Sequence, residues 1–248
     1  MFRLIYGSSK DFYYIISSMS KITEKIILNF TDEGINSKHL TEDKVMMGVI
    51  SVPRDALDEY SLDKPLSIEL DLGEIKKIFA KAKSSRSSME ISETESGIRI
   101  TVRDEKTGTR TNLYLKGAKA EPQVLKEPNV TPSTILVMKG ETLKMLVDEG
   151  LEVGEEITLR SEAEEVIAEV EELGKRYVAH LRNSKPLSKL EIESPGSARY
   201  SLPVLEKLAS TLNFSDELEV GFGSGIPLRT QVILDRGALI KFWVAPRL

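Results

Sequence analysis

The sequence predicts an α+β protein built from two tandem, duplicated domains, each with two helices packed on one face of a mostly antiparallel sheet. Three observations predict it. A weak internal repeat runs through the chain with a period of about 130 residues. Each half contains two segments with apolar residues at helical spacing. Most of the remainder is short strand-like segments divided by turn signals, as in hairpins.

The first helix of each half is marked by a stripe. Phe12, Ile15, Ile16 and Met19 recur in the second half as Leu143, Leu146, Val147 and Gly150. A strand candidate follows each stripe, at 24–28 and 155–159. The second helices align as Leu72, Ile75, Ile78, Phe79 and Ala82 with Leu202, Leu205, Leu208, Ala209 and Leu212. Asp71 and Ser201 precede them as N-cap residues, and Asp71 with Glu74 has capping-box spacing. The first of these helices is expected over 71–83.

Strand-like stretches lie at 45–52, 97–102, 110–115, 176–181, 230–234 and 240–244. Thr107-Gly108 and Arg236-Gly237 separate neighbouring strands. Residues 117–132 hold three prolines and little periodicity, which reads as a linker. It is long for a loop within a compact domain. The expected division is residues 1–116, a connecting linker at 117–132, and residues 133–248.

Composition narrows the function. The 248 residues are 40% hydrophobic and 29% charged, with a formal net charge of −5. Cysteine is absent, which removes disulfides, thiolate metal sites and cysteine nucleophiles. The N-terminal stretch lacks the apolar core of a signal peptide. No apolar run approaches the ~20 residues that span a bilayer. The expectation is a cytoplasmic protein. His39 and His180 lie far apart without metal spacing, and each reads as structural or surface. The Gly221–Gly225 stretch lacks the context of a dinucleotide fold, and no P-loop is present. No catalytic group, metal or cofactor is expected. Scattered carboxylates leave a hydrolase as the enzymatic alternative, but the acids from Glu162 to Glu172 read as solvated surface.

A net negative charge argues against nucleic acid only if the charges are evenly spread. With residues placed about 100° apart, Lys77 and Lys81 oppose the apolar stripe of the second helix, and Lys76 flanks it. Lys10 and Lys21 oppose the stripe of the first. Lys207 opposes the last helix's leucines, and Arg199 lies just before that helix. The third helix departs, exposing Glu141, Asp148 and Glu149 with Lys144 to one side. Solvated charge is the alternative reading of each helix alone. Three repeat-related helices with bases in equivalent places suit phosphate attraction without base reading.

The last nine residues, Ile240 to Leu248, resemble the ending of the proliferating cell nuclear antigen family of sliding DNA clamps, an aromatic pair followed by an Ala-Pro-basic-aliphatic sequence. Residues 70–78 look like that family's second lumen helix, 34–45 like its strand and central loop, and Pro227-Leu228 like its late hairpin. The similarity covers essentially the whole chain, and the wording is nearest to clamps of thermoacidophilic crenarchaea.

The resemblance implies three subunits in a pseudo-hexagonal ring, with helices lining a hole for duplex DNA. Lys10, Lys21, Lys77, Lys81 and Lys207 then face phosphates, with Lys76, Lys144 and Arg199 as further candidates. It also implies a pocket beneath the linker where polymerases, flap endonucleases and ligases insert a hydrophobic–aromatic plug. Leu40, Val45, Leu125, Pro227, Trp243, Ala245 and Pro246 carry over to it, with Arg247 and Leu248 at its edge. Glu127 stands where the family has a second aliphatic residue. Plain core is the alternative reading of these apolar residues, Trp243 included.

Subunits of the family join by edge strands. That assigns Arg110, Thr111, Leu113 and Tyr114 to one edge, and Arg176, Tyr177, Val178 and His180 to the other. A homotrimer and a heterotrimer of like subunits both remain open. So do a checkpoint-type clamp and a structural oligomer. A clamp loader is a further expected partner, and the expected location is the cytoplasm, at the nucleoid.

Overall fold

A computed structural model describes residues 1–81 and 86–247, without the side chains at 78, 80 and 81. The chain forms two compact units. The first comprises Met1–Leu40, Gly48–Leu125 and Ile233–Ile240; the second comprises Thr41–Met47, Lys126–Val232 and Lys241–Leu248.

In the first unit the elements run β1 (Phe2–Tyr6), α1 (Ser9–Ser18), β2 (Lys25–Thr31), β3 (Gly34–Leu40), β4 (Met46–Pro53), β5 (Glu59–Leu62), β6 (Leu66–Asp71), α2 (Leu72–Lys81), β7 (Ser87–Thr94), β8 (Gly97–Asp104) and β9 (Arg110–Ala120). The first two residues of β4 belong to the second unit. From one end, the sheet order is β3-β2-β6-β9-β8-β7-β1-β5, antiparallel throughout. The helices pack on this sheet because their stripes are apolar. Phe12, Ile15, Ile16, Met19, Leu72, Ile75 and Phe79 are buried, and the Phe12 and Phe79 rings meet at 5.3 Å. A buried aromatic of this kind contributes on the order of 3–5 kcal/mol, judged by truncation to alanine.

The second unit runs β10 (Thr134–Met138), α3 (Gly140–Leu151), β11 (Glu156–Glu162), β12 (Glu165–Glu172), β13 (Lys175–Asn183), β14 (Pro186–Leu187), β15 (Lys189–Ile192), β16 (Ser197–Ser201), α4 (Leu202–Leu212), β17 (Leu218–Phe222), β18 (Leu228–Ile233) and β19 (Leu239–Val244). Ile233 of β18 and the first two residues of β19 belong to the first unit. One ladder is ordered β15-β10-β17-β18. A second sheet is ordered β14-β13-β12-β11-β16. Its pairs are antiparallel except β13 with β14. The stripes of α3 and α4 are buried as expected. Gly140 opens α3 where only a glycine fits: a Cβ there would stand 2.0 Å from the Leu212 carbonyl oxygen.

The internal repeat reappears as repeated geometry. The Leu72 amide donates to the Glu24 carbonyl at 2.9 Å, and the Leu202 amide donates to the Glu155 carbonyl at 2.8 Å. Lys25 pairs with Asp71 and Glu156 with Ser201. Each second helix is therefore launched from a strand whose end is tied to the strand that follows the first helix.

Two expectations change in detail, and one is tested only in part. Asp71 caps α2, its carboxylate accepting the Glu74 amide at 2.8 Å. Ser201 makes no such bond. Pro203 supplies no N–H at one of the two positions an N-cap side chain serves. The helix expected to Lys83 is described to Lys81, and Ala82 and Lys83 lie outside the described residues. Residues 117–120, read as linker, continue β9 and pair with β6. Gly117 suits its place there: a Cβ on it would stand 2.7 Å from the Ile68 side chain.

His39 is buried in β3 and its Nε2 accepts the Ile27 amide at 3.1 Å, replacing a ladder bond. An accepting imidazole nitrogen must be unprotonated. Burial lowers its pKa from the ordinary 6.5, with Glu69 pulling weakly the other way. The unfolded chain therefore binds this proton more readily than the folded one. The stability His39 contributes is complete above pH ~6.5 and falls as pH drops below it. The urea midpoint of the wild type should decline from pH 7 to 5, by up to ~1.4 kcal/mol per pH unit from this group. His39→Gln should flatten that part of the profile. Identical pH profiles would show that His39 is not the titrating group.

Candidate nucleic-acid interface, sheet edges and docking residues

The bases on the first unit's helices lie at the start of α1, in the turn that follows it, and on α2. Lys10 is partly exposed at the start of α1, its ammonium 5.9 Å from the Tyr14 ring centroid. Lys21 is exposed in a 3-10 turn, Met19–Lys21, which follows α1. Lys76 of α2 donates to Ser20 Oγ at 3.1 Å, so it leans over that same turn. Lys77 is exposed next to it in sequence. The side chain of Lys81 lies outside the described residues.

The second unit is more mixed. Lys207 is exposed on α4. Its charge helps hold the Asp43 carboxyl below its usual range, after the larger effects of the Thr41 hydroxyl and the Val45 amide. Lys144 is bound to Asp148 one turn on, at 2.6 Å. Glu149 accepts the Tyr177 hydroxyl at 2.8 Å. Two of the three acids on α3 are thus engaged within the unit, which moderates the helix's negative field. Arg199 lies on β16, where its guanidinium is 3.2 Å from Glu156. Arg247 approaches the same carboxylate at 3.5 Å, and its amide donates to the Arg199 carbonyl at 2.7 Å. Two arginines assigned to separate roles therefore share one acid.

Among the described residues, the strands expected at the subunit contact each keep one open side. Residues 110–116 of β9 pair with β8, and β6 joins only from Gly117 onward. The Gly117 amide and the Thr109 carbonyl both bond toward the β8 side. Backbone direction alternates along a strand. The amides and carbonyls of Arg110, Asn112, Tyr114 and Lys116 consequently face outward. In the second unit, β13 pairs with β12, while β14 touches only Arg182 and Asn183.

The β12–β13 turn is Leu173-Gly174, with φ of 49° and 78°. A two-residue turn with both φ positive closes on a hydrogen-bonded pair, Glu172 with Lys175. The same alternation turns the backbone of Arg176, Val178 and His180 outward. Large apolar side chains sit on both edges: Tyr114 is 70% exposed and Val178 37%.

Charges behind the two edges are organised differently. On the first unit's sheet, the nearly buried Glu90 carboxylate meets Arg3, Arg99 and Arg103 at 2.9–3.3 Å. The Arg3 hydrogen bond is the main cause holding its pKa down, against burial. On the second unit's sheet, Glu165 takes Arg182 at 2.7 Å and His180 at 3.3 Å, and Glu169 takes Arg176 at 2.6 Å.

Of the residues expected at the docking pocket, Leu40 and Leu125 fall in the first unit and the rest in the second. Thr41 to Met46 form a tight loop: the Asp43 carboxylate accepts the Thr41 hydroxyl at 2.5 Å and the Val45 amide at 3.2 Å. The Val45 carbonyl accepts the Ala245 amide at 2.9 Å, joining that loop to the C-terminal segment. Trp243 is buried, Pro227 and Pro246 are half-buried, and Ala245 is exposed. Leu248 lies outside the described residues.

Sequence reasoning noticed Glu127 only as an irregularity. Its Oε2 accepts both Trp243 Nε1, at 3.2 Å, and Lys241 Nζ, at 2.9 Å. The available signal was the spacing of Lys241 and Trp243, two apart and therefore on one face of β19, opposite a linker acid.

A family model described as the proliferating cell nuclear antigen N-terminal domain matches residues 1–121. The chain is 42% identical to "DNA polymerase sliding clamp 2" of Sulfurisphaera tokodaii, over 100% of both chains. It is 40% identical to "DNA polymerase sliding clamp 1" of Saccharolobus solfataricus, again over 100% of both. A crystal structure of PCNA from Thermococcus kodakaraensis matches with a TM-score of 0.91 at 20% identity, covering 100% of each chain. The PCNA2–PCNA3 complex from Sulfolobus tokodaii matches at 0.85 and 20%, covering 99% of each. At such identities these structural matches speak for the fold.

Proposed function

The chain belongs to the proliferating cell nuclear antigen family of sliding clamps, and from that premise we propose that it is one subunit of a trimeric ring that encloses duplex DNA and tethers the replicative polymerase as a processivity factor. The observation that carries the reading is the pair of open sheet edges, β9 in one unit and β13 in the other. Unpaired outward backbone groups are a template for another chain. Two different edges pairing head to tail close a ring when the rotation per subunit permits it. Like subunits supply the partner edges, either copies of this chain or sister clamps.

The mechanism is topological and electrostatic. A closed ring leaves DNA only by opening or by reaching an end. Its contacts can therefore be weak, and the ring slides. Lys10, Lys21, Lys77 and Lys81, with Lys207 in the second unit, supply positive charge toward phosphates without reading bases. Lys76, Lys144 and Arg199 are secondary contributors.

Val45, Pro227, Trp243, Ala245 and Pro246, all in the second unit, receive an apolar–aromatic segment of client proteins, and Leu40 and Leu125 of the first unit are further docking candidates. Polymerase, flap endonuclease and ligase are the client classes, and a loader opens the ring. The family is in general non-enzymatic, and no residue here is given a catalytic role. No helix among the described residues is long and apolar enough to cross a membrane. The proposed place of work is the cytoplasm, at the nucleoid.

The test is polymerase stimulation on closed circular templates against linear ones with open ends, with loader supplied. Encirclement predicts strong stimulation on circles and weak, transient stimulation on open ends. Equal stimulation on both rules encirclement out. Mass measurement of the chain alone, then mixed with sister subunits, distinguishes three identical copies from a mixed ring.

A further inference from the structure

The segment between β9 and β10 contains no helix or strand over residues 121–132. Its far end is fixed by Pro132, whose ring lies where a Cβ on Gly221 would come within 2.7 Å. Val124 is 90% exposed. Between these points, a carboxylate ties the segment to β19. Glu127 Oε2 takes the Trp243 indole N–H and the Lys241 ammonium together. The ion pair is half-buried, with side-chain exposures of 24% for Glu127 and 18% for Lys241. Partial burial shields it from salt screening. Both donors stand on the same face of β19, two residues before Ala245 in the case of Trp243.

We propose that Glu127 is a latch that holds the linker down over Trp243 and must release before an apolar–aromatic client segment can seat there. This inference rests on the docking role proposed above. The physical argument is competitive. A plug that packs on the Trp243 face needs the linker to move aside, and the latched state stabilises the linker where it is. The apparent affinity for a plug is then the intrinsic affinity multiplied by the fraction unlatched. Lys241 and Glu127 thereby set how strongly a client must bind to dock on this subunit. An aliphatic residue at 127 would leave the linker free and the subunit less selective.

The experiment uses the full chain in its trimeric assembly and a synthetic peptide that presents one aliphatic and two aromatic side chains on a single helical turn. Trp243 is the only tryptophan, so its fluorescence reports both the latch and the peptide. Glu127→Ala and Lys241→Met each remove one half of the latch from a different element. Both should tighten peptide binding by about three- to tenfold, as expected if the unlatched fraction is roughly 0.1–0.3. Both should also speed amide hydrogen exchange at 126–131 without any peptide.

Unchanged or weaker peptide binding in the two variants overturns the latch. So does tightening in Glu127→Ala alone, which would trace the gain to side-chain removal at the linker. If no form binds the peptide, the docking role is lost. The exchange rates then decide the latch by themselves: faster exchange in both variants retains it, and equal exchange removes it.

Discussion

Val178→Pro is expected to yield a folded subunit that no longer assembles into a ring. The Val178 amide faces away from β12, so proline there removes no bond of the unit's own ladder. Edge strands tolerate proline for this reason. Across a subunit contact the same change deletes a donor and places a ring against the incoming strand. A loss of about 3 kcal/mol per contact corresponds to roughly a hundredfold in association. If three such contacts close one ring, the losses compound.

Sedimentation should show monomer at concentrations where the wild type is assembled. The thermal midpoint of the isolated subunit should stay within a few degrees. Polymerase stimulation on circular templates should fall to background. A variant that remains trimeric places the contact elsewhere than β13. Tyr114→Pro, with its outward amide on β9, tests the opposite edge in the same way.

The second large effect is electrostatic. The triple variant Lys10→Glu, Lys21→Glu and Lys77→Glu reverses three charges on one helical surface of the first unit. These side chains are exposed or half-exposed, so folding should change little; surface substitutions away from special features usually stay within ~0.5 kcal/mol. DNA retention should change greatly. Each lost phosphate contact lowers the slope of log affinity against log salt by about 0.9. Reversal adds repulsion to that loss. Retention of loaded ring on a circular duplex should drop at least tenfold at ~0.15 M salt, with a shallower salt dependence. Retention equal to wild type, with an unchanged salt slope, would show that these lysines do not meet the DNA. Assembly should be intact in this variant and lost in Val178→Pro. The two results together separate ring closure from DNA contact.

The amino-acid pattern alone determined the class, the duplication and the position of the four α-helices among the described residues. Apolar stripes at Phe12–Met19, Leu72–Phe79, Leu143–Gly150 and Leu202–Leu212 are local signals, since a helix buries one face whatever it packs on. The lysines opposite those stripes were legible for the same reason. The family resemblance supplied the edge strands and docking residues, which composition and spacing do not specify.

Tertiary structure decided the pairings between residues far apart in the chain. His39 read as a structural or surface histidine, and only the fold showed its ring replacing a ladder bond to Ile27. Residues 117–120 read as linker until β6 accepted them as a strand. Arg199 and Arg247 were assigned apart and meet over Glu156. Glu127 looked like a gap in an apolar pattern, yet it binds Lys241 and Trp243 across more than a hundred residues of chain. The reason is physical. Burial of one face is encoded by spacing within a few turns, whereas the partner of a charge or an open amide depends on which distant surfaces the core brings together.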